Sequence, residues 1–373
     1  MVPTAKRTRR VYEAPSRGCA LDVSLLRPST AAVARHPPPR AANLSRYFLT
    51  GGRQRPTHLR ARDEWTAYER AVLLSLDTRT GAARVVLEYA SPPDRCPATD
   101  PSFVFKAASW DGPHLLLCTQ TEVIVFDTVA ERIVRTISHP WFNDVHHVAR
   151  IGGRLHVVST GLDAVLVLGD DDEVVEVLSA VGDDPWSRFD RATDWRRVPT
   201  TKPHAAHPNF VTEVDGHRWL TRFVQRDALD LDGGSAVRLA DDPVHDGVLV
   251  DGRLWYTVVS GHVVVVEPGR GVVARYDLDR VGDEGGRPLG WARGIHVDAG
   301  VTLIAFSRLR PTTLKQNLSW LRTPLGRPPE PHPTRVVAYD FAAGRKLHTW
   351  TVEQVGISSI FSVLPAEPRG SHA

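Results

Sequence analysis

Methionine is almost absent from this chain, and cysteine is scarce. There is one Met in 373 residues, and the three cysteines, Cys19, Cys96 and Cys118, lie far apart with no CxxC pair. That spacing argues against a disulfide framework and favours a reducing compartment. No run approaches 18 apolar residues, so no helix is expected to span a membrane. The N-terminus lacks the apolar core of a signal peptide, and the expected location is the cytoplasm. Charge of either sign is nearly balanced, 46 Lys and Arg against 43 Asp and Glu, net +3. That is too little, by charge alone, for a nucleic-acid partner. The basic opening Lys6-Arg7-Thr8-Arg9-Arg10 is expected to be a solvated tail. A serine-nucleophile elbow, a P-loop and a dinucleotide fingerprint are all missing. The nearest Gly-rich loop, Gly282-Asp283-Glu284-Gly285-Gly286, has the wrong spacing and no helix after it.

What is present is a hairpin cadence. Val145–Val158, His207–Leu220 and His245–Tyr256 each open on a polar or histidine-bearing start. Each continues through an apolar run, a tight Gly turn and a second apolar run. Arg293–Ile304 repeats the pattern more loosely. Grouped in fours, the strands form units at 103–137, 145–179, 208–239, 247–277 and from about 294 to 352. Three strands remain near 46–49, 70–77 and 84–89, and one near 357–364. Together these make a sixth unit, clasped from the two ends of the chain. Length alone would suggest two or three domains, but a closed ring absorbs it and leaves only short sheet edges. The expected fold is all-β: an irregular N-terminal arm over 1–44, a six-bladed β-propeller over 45–365 and a tail over 366–373. His36-Pro37-Pro38-Pro39-Arg40 keeps regular structure out of the arm.

Equivalent positions of a repeat become neighbours in space. In an up-and-down blade, the loop joining strands two and three lies on the face where the innermost strand starts. The insertions at 51–69, 180–207 and 308–335 therefore crowd one face, around the mouth of the central channel. Loops this long are commonly functional. With the Gly turns aligned, His146, Asn209 and His245 coincide; His296 falls about three places later and His207 two places earlier. His146, His207, His245 and His296 are the candidate ligands of a divalent metal, with zinc or iron favoured over calcium. Calcium would want Asn143, Asp144, Asn209 and Asp246. His147, His204 and Asp246 are the candidate acid–base groups.

Arg222 and Arg308 end the second strands of their blades and should face the same mouth. With Arg293, Arg310 and Asn209 they are candidates to hold a carboxylate, phosphate or sulfate. The opposite reading is that Arg222 and Arg308 pair with Asp227, Asp246 or Asp144 and tie blades together. Trp195, in the aromatic and cationic loop 186–204, would stack on a ring or sugar, or pack over the blade junction.

The cadence resembles six-bladed propellers of the broad gluconolactonase-like and strictosidine-synthase-like group, over residues 45–365. That resemblance implies a divalent metal at the channel mouth, held in the group by acidic and amide side chains. A histidine-lined axis is also similar to that of the carotenoid-cleaving oxygenases, where four histidines hold ferrous iron on a longer, seven-bladed chain. The leading expectation is a metal-dependent enzyme acting on a small anionic molecule. Two alternatives stand beside it: a non-catalytic propeller that binds a peptide or glycan, and a metal-free cyclase or condensing enzyme using His and Asp.

Overall fold

The computed structural model describes residues 46–55, 67–282, 287–309 and 331–368. The N-terminal arm, Arg310 and a short helix expected near Thr312–Leu318 lie outside them. Alternating apolar residues and Gly turns build six four-stranded antiparallel sheets. The innermost strands are Ser359–Pro365, Ala108–Asp111, Val145–Ile151, Pro208–Val214, Val244–Val250 and Trp291–Asp298. Each touches the innermost strand of the next blade, and the circle closes. The protein is a six-bladed β-propeller.

The clasp is as the pattern predicts. Ser359–Pro365 pairs with Arg46–Gln54, which leads on to Tyr68–Asp77 and Ala83–Tyr89. Gly51 sits at the tightest point of the seam, where a Cβ would stand 1.8 Å from the Ser359 carbonyl oxygen. Packing between blades is apolar. One cluster joins Leu49, Val72 and Ile360 of the clasp blade to Leu303 and Val336 of its neighbour. Among the described residues no helix is long and apolar enough to cross a membrane. Cys96 and Cys118 are buried free thiols.

The inner strands depart from the sequence pattern in one respect. The sequence pattern of the unit at 103–137 starts its first strand at Phe103, but the inner strand is the short Ala108–Asp111. The backbone enters it through isolated bonds, Lys106 N–H to the Cys118 carbonyl (2.9 Å) and Ala107 N–H to the His146 carbonyl (2.9 Å). The second of these belongs to the neighbouring blade and replaces an in-sheet partner.

Candidate functional site

Five innermost strands bulge near their start, where two residues oppose one on the partner strand. Pairing skips at Val145/His147, Pro208/Val211, Val244/Gly247 and Ala292/Ile295, and at Thr50/Gly51 opposite Ser362/Ile360. The first bulged residues are thus His146, Asn209, His245, Arg293 and Phe361, and Lys106 takes the same place ahead of Ala108. Buried threonines hold three of the six places. Thr50, Thr221 and Thr257 donate to the carbonyls of Lys106 (2.7 Å), His245 (3.3 Å) and Arg293 (2.5 Å) in the following blade. Thr221 and Thr257 also accept the N–H groups of Phe210 (3.0 Å) and Asp246 (3.2 Å), which the bulge releases from the ladder. The repeat therefore sets six side chains around one axis.

The groups on this ring touch. The ring centres of His146 and His245 are 6.0 Å apart, and those of His245 and Phe361 5.8 Å. The Arg293 guanidinium lies 4.2 Å from the Phe361 ring centre and 4.9 Å from that of Trp291. The Lys106 ammonium is paired with the Asp144 carboxylate and lies 3.2 Å from His146 Nδ1. Buried Asn209 Oδ1 and His245 Nδ1 have no hydrogen-bond partner among the described residues.

Two residues upstream of the ring, adjacent blades place Asp144 and His207. Both hold left-handed backbone, φ 53° in each case, a strained conformation of the kind that clusters at functional sites. His207 packs on His146 at 4.9 Å, and His204 Nδ1 lies 2.7 Å from His207 Nδ1. One carboxylate fixes this loop. Asp163 accepts the N–H groups of Ala205 (2.7 Å), Ala206 (2.9 Å) and His207 (2.8 Å), and the Arg188 guanidinium (2.6 Å). Asn143 anchors the rest of the insertion, donating to the carbonyls of Trp195 and Val198 at 2.8 Å each.

Ligand atoms of Asp144, His204 and His207 lie within 4.8 Å of one another. Burial drives the Asp144 carboxyl upward, but the adjacent Lys106 ammonium outweighs it and holds the group well below the usual carboxylate range. Burial, with help from Lys106, drives His146 well below the usual imidazole range. Burial and the His204 ring do the same to His207, and burial and Arg293 to His245. An ionised carboxylate beside neutral imidazoles is the protonation state that metal ligands need. Two His and one carboxylate suit zinc or ferrous iron, with coordination positions left for substrate or water.

The remaining expected residues fall elsewhere. His296 lies three residues past the bulge position, which Arg293 occupies. Its ring packs edge-on against Tyr47 at 5.2 Å and lines a different cavity. His147 and Asp246, the second bulged residues of their blades, line that cavity too. Arg222 forms a two-pronged pair with Asp227 (2.8 and 2.6 Å) and donates to the Ala180 carbonyl; Arg308 pairs with Glu353 at 3.0 Å. Both tie the structure together, because register puts Asp227 directly across the hairpin from Arg222. Trp195 packs edge-on against Phe189 at 5.2 Å, and its indole N–H donates to the Asp190 carbonyl. It stitches the insertion to itself. Lys106 and Asp163 carried no signal in the sequence beyond ordinary charge.

No family model and no curated protein matches the chain. Solved structures match it in fold. A protein of unknown function from Bacteroides caccae is 12% identical with a TM-score of 0.51, over 86% of this chain and 99% of that one. A chain of a nidogen/laminin complex is 11% identical with a TM-score of 0.49, over 86% and 97%. A chain of the mitotic checkpoint complex is 10% identical with a TM-score of 0.44, over 91% and 89%. At these identities the likeness is one of fold alone.

The buried imidazoles make stability depend on pH. His146, His147, His207 and His245 are all depressed in the folded state, His147 to about 3. Unfolded, each takes a proton near pH 6.5. Their contribution is whole above that value and is lost as pH falls, because the unfolded chain then binds more protons. Each adds a slope of up to about 1.4 kcal/mol per pH unit. Chelated protein should therefore show a urea midpoint that falls steeply from about pH 7 to about pH 5. A flat midpoint across that window would contradict the burial of these rings.

Proposed function

We propose that the protein is a metal-dependent enzyme that acts on a small anionic molecule at the loop-side mouth of the propeller. The observation that carries this reading is the convergence of Asp144, His204 and His207 within 4.8 Å, from adjacent blades and one strapped loop. The donor set fits a divalent ion: one carboxylate held ionised, two imidazoles held neutral, and a buried His204 Nε2 without a hydrogen-bond partner among the described residues. Such an ion, when bound, would polarise a carbonyl or lower the pKa of a water. The chain's own residues supply the rest. Lys106 and Arg293 place two cations on the ring, which favours an anion. His146 Nδ1 donates to the Asp144 carbonyl at 2.8 Å, so its Nε2 keeps a lone pair that can accept a proton. His245 Nδ1 is a further unpaired site for proton exchange. The aromatic loop 186–204, which carries His204 into the cluster, is held by Asn143 and Asp163. Two buried free thiols suit a reducing, cytoplasmic setting.

Elemental analysis tests the reading. Purified protein should carry about one equivalent of zinc or iron per chain, and His207→Ala should lose it while His296→Ala keeps it. Unchanged metal in His207→Ala would overturn the assignment. A second reading rests on Lys106, whose ammonium already neutralises Asp144. There the cluster works without metal as a His/Asp acid–base site. Activity that survives exhaustive chelation would select it.

A further inference from the structure

The axis holds a second chamber, on the far side of the ring of six. It encloses about 300 Å³ and takes wall residues from the innermost strands of all six blades, among them Trp110, Ala149, Phe210, Val248, His296 and Leu364. That is the size of a small-molecule site. Its lining among the described residues contains no Lys or Arg, and Asp246 is its single carboxyl.

Asp246 and His147 occupy the same repeat position in alternate blades, and both are buried. Burial pushes the Asp246 carboxyl up to about 8, so it keeps its proton at neutral pH. Ser362 fixes that proton's place. Its hydroxyl oxygen accepts the Ala108 N–H at 3.0 Å, and its own proton reaches Asp246 Oδ2 at 3.5 Å. The Gly247 N–H also reaches this carboxyl, and Oδ1, the oxygen to which Ser362 does not donate, is the hydroxyl oxygen and a donor. His147 is a donor for a parallel reason. Its Nδ1 accepts the Val211 N–H at 3.3 Å, and burial keeps the ring neutral, so the proton sits on Nε2. Neither donor has a protein acceptor among the described residues. Ser109, Thr212 and His296 also reach the lining, and the rest of the wall is mainly aromatic or aliphatic. Two buried donors in an apolar chamber without a balancing charge suit an uncharged acceptor, since an unpaired ion there would be costly.

The geometry points to a binding site, separate from the metal cluster, for a small uncharged carbonyl compound whose oxygen accepts hydrogen bonds from Asp246 and His147 against the Trp110 and Phe210 rings. Entry is from the face of tight hairpin turns, opposite the long insertions.

Ligand-observed NMR on the full chain, with δ-valerolactam as probe and piperidinium and cyclohexanecarboxylate as charged counterparts, tests the site. The lactam should bind saturably with a Kd below about 30 mM, the least expected of seven heavy atoms at ordinary ligand efficiency. Asp246→Leu should weaken it at least ~10-fold, as expected when a hydrogen bond to a buried group is lost. Ala149→Phe, which fills the chamber and leaves both donors in place, should abolish it. Chelation and His207→Ala should leave it unchanged, which separates failure here from failure of the metal reading. Tighter binding of either charged probe, or no saturable lactam binding, would overturn the proposal. So would lactam binding indifferent to both chamber variants.

Discussion

Lys106→Met should unfold at markedly lower denaturant in the presence of a chelator and recover when zinc is added. The Lys106 side chain is 7% exposed and its partner Asp144 15%. Removing one member of a buried pair strands the other charge, typically at about 3–5 kcal/mol. The loss would be confined to the side chain, because the Lys106 N–H and carbonyl keep their bonds to Cys118 and Thr50. A divalent ion at Asp144 would take over the ammonium's role and feel less repulsion than in the parent. Zinc should therefore stabilise the variant by about 2.7 kcal/mol at a hundredfold excess over the variant's Kd, and the parent by less. Urea unfolding with and without zinc reads both effects. A variant as stable as the parent under chelation, or one that zinc does not rescue, would contradict the placement of the cluster.

The second large effect is at Asp163. Asp163→Ala removes the acceptor for three successive N–H groups, those of Ala205, Ala206 and His207. A buried donor left without a partner costs about 1–3 kcal/mol; the Ala206 N–H is buried and those of Ala205 and His207 half-buried, so the loss should lie towards the lower end of about 3–9 kcal/mol. Alanine must also hold the left-handed backbone of position 163 (φ 50°), which Asn tolerates better. Asp163→Asn should accordingly lose about half as much. Because Asp163 positions His207 without belonging to the donor set, metal affinity should fall about 10–100-fold in the alanine variant. Calorimetric titration with zinc reads this. Equal affinity in parent and variant would mean that the loop holds its shape without the carboxylate.

The blades were legible because hairpin turns announce themselves. Gly152-Gly153, Asp215-Gly216 and Asp251-Gly252 mark the same turn in three blades. Counting back from them aligned His146, Asn209 and His245 on what proves to be the bulge ring. The same count already set His296 three places past that position, where Arg293 stands on the ring; its place among the ligand candidates followed its residue type and not its register. Lys106 was invisible for a different reason. Phe103–Ser109 has strand composition, yet the N–H groups of Phe103, Phe105 and Ala107 bond to other blades, and regular pairing with its own sheet begins only at Ala108. The pairing of Arg222 with Asp227 could be foreseen, since both flank one hairpin. The grip of Asp163 on residues 42 to 44 places further along could not, since it depends on how a left-handed turn aims one carboxylate at a returning loop. His207 was found for its residue type; its repeat equivalence with Asp144 is a matter of backbone geometry.

The account rests on adjacent blades bringing one carboxylate and two imidazoles to a common point that binds a divalent ion. Anomalous diffraction at the zinc or iron edge, on crystals of the full chain grown with that metal, tests this most directly. The expected result is one strong peak about 2.0–2.2 Å from atoms of Asp144, His204 and His207. A map with no peak among these three side chains, in crystals where they are ordered, would contradict it.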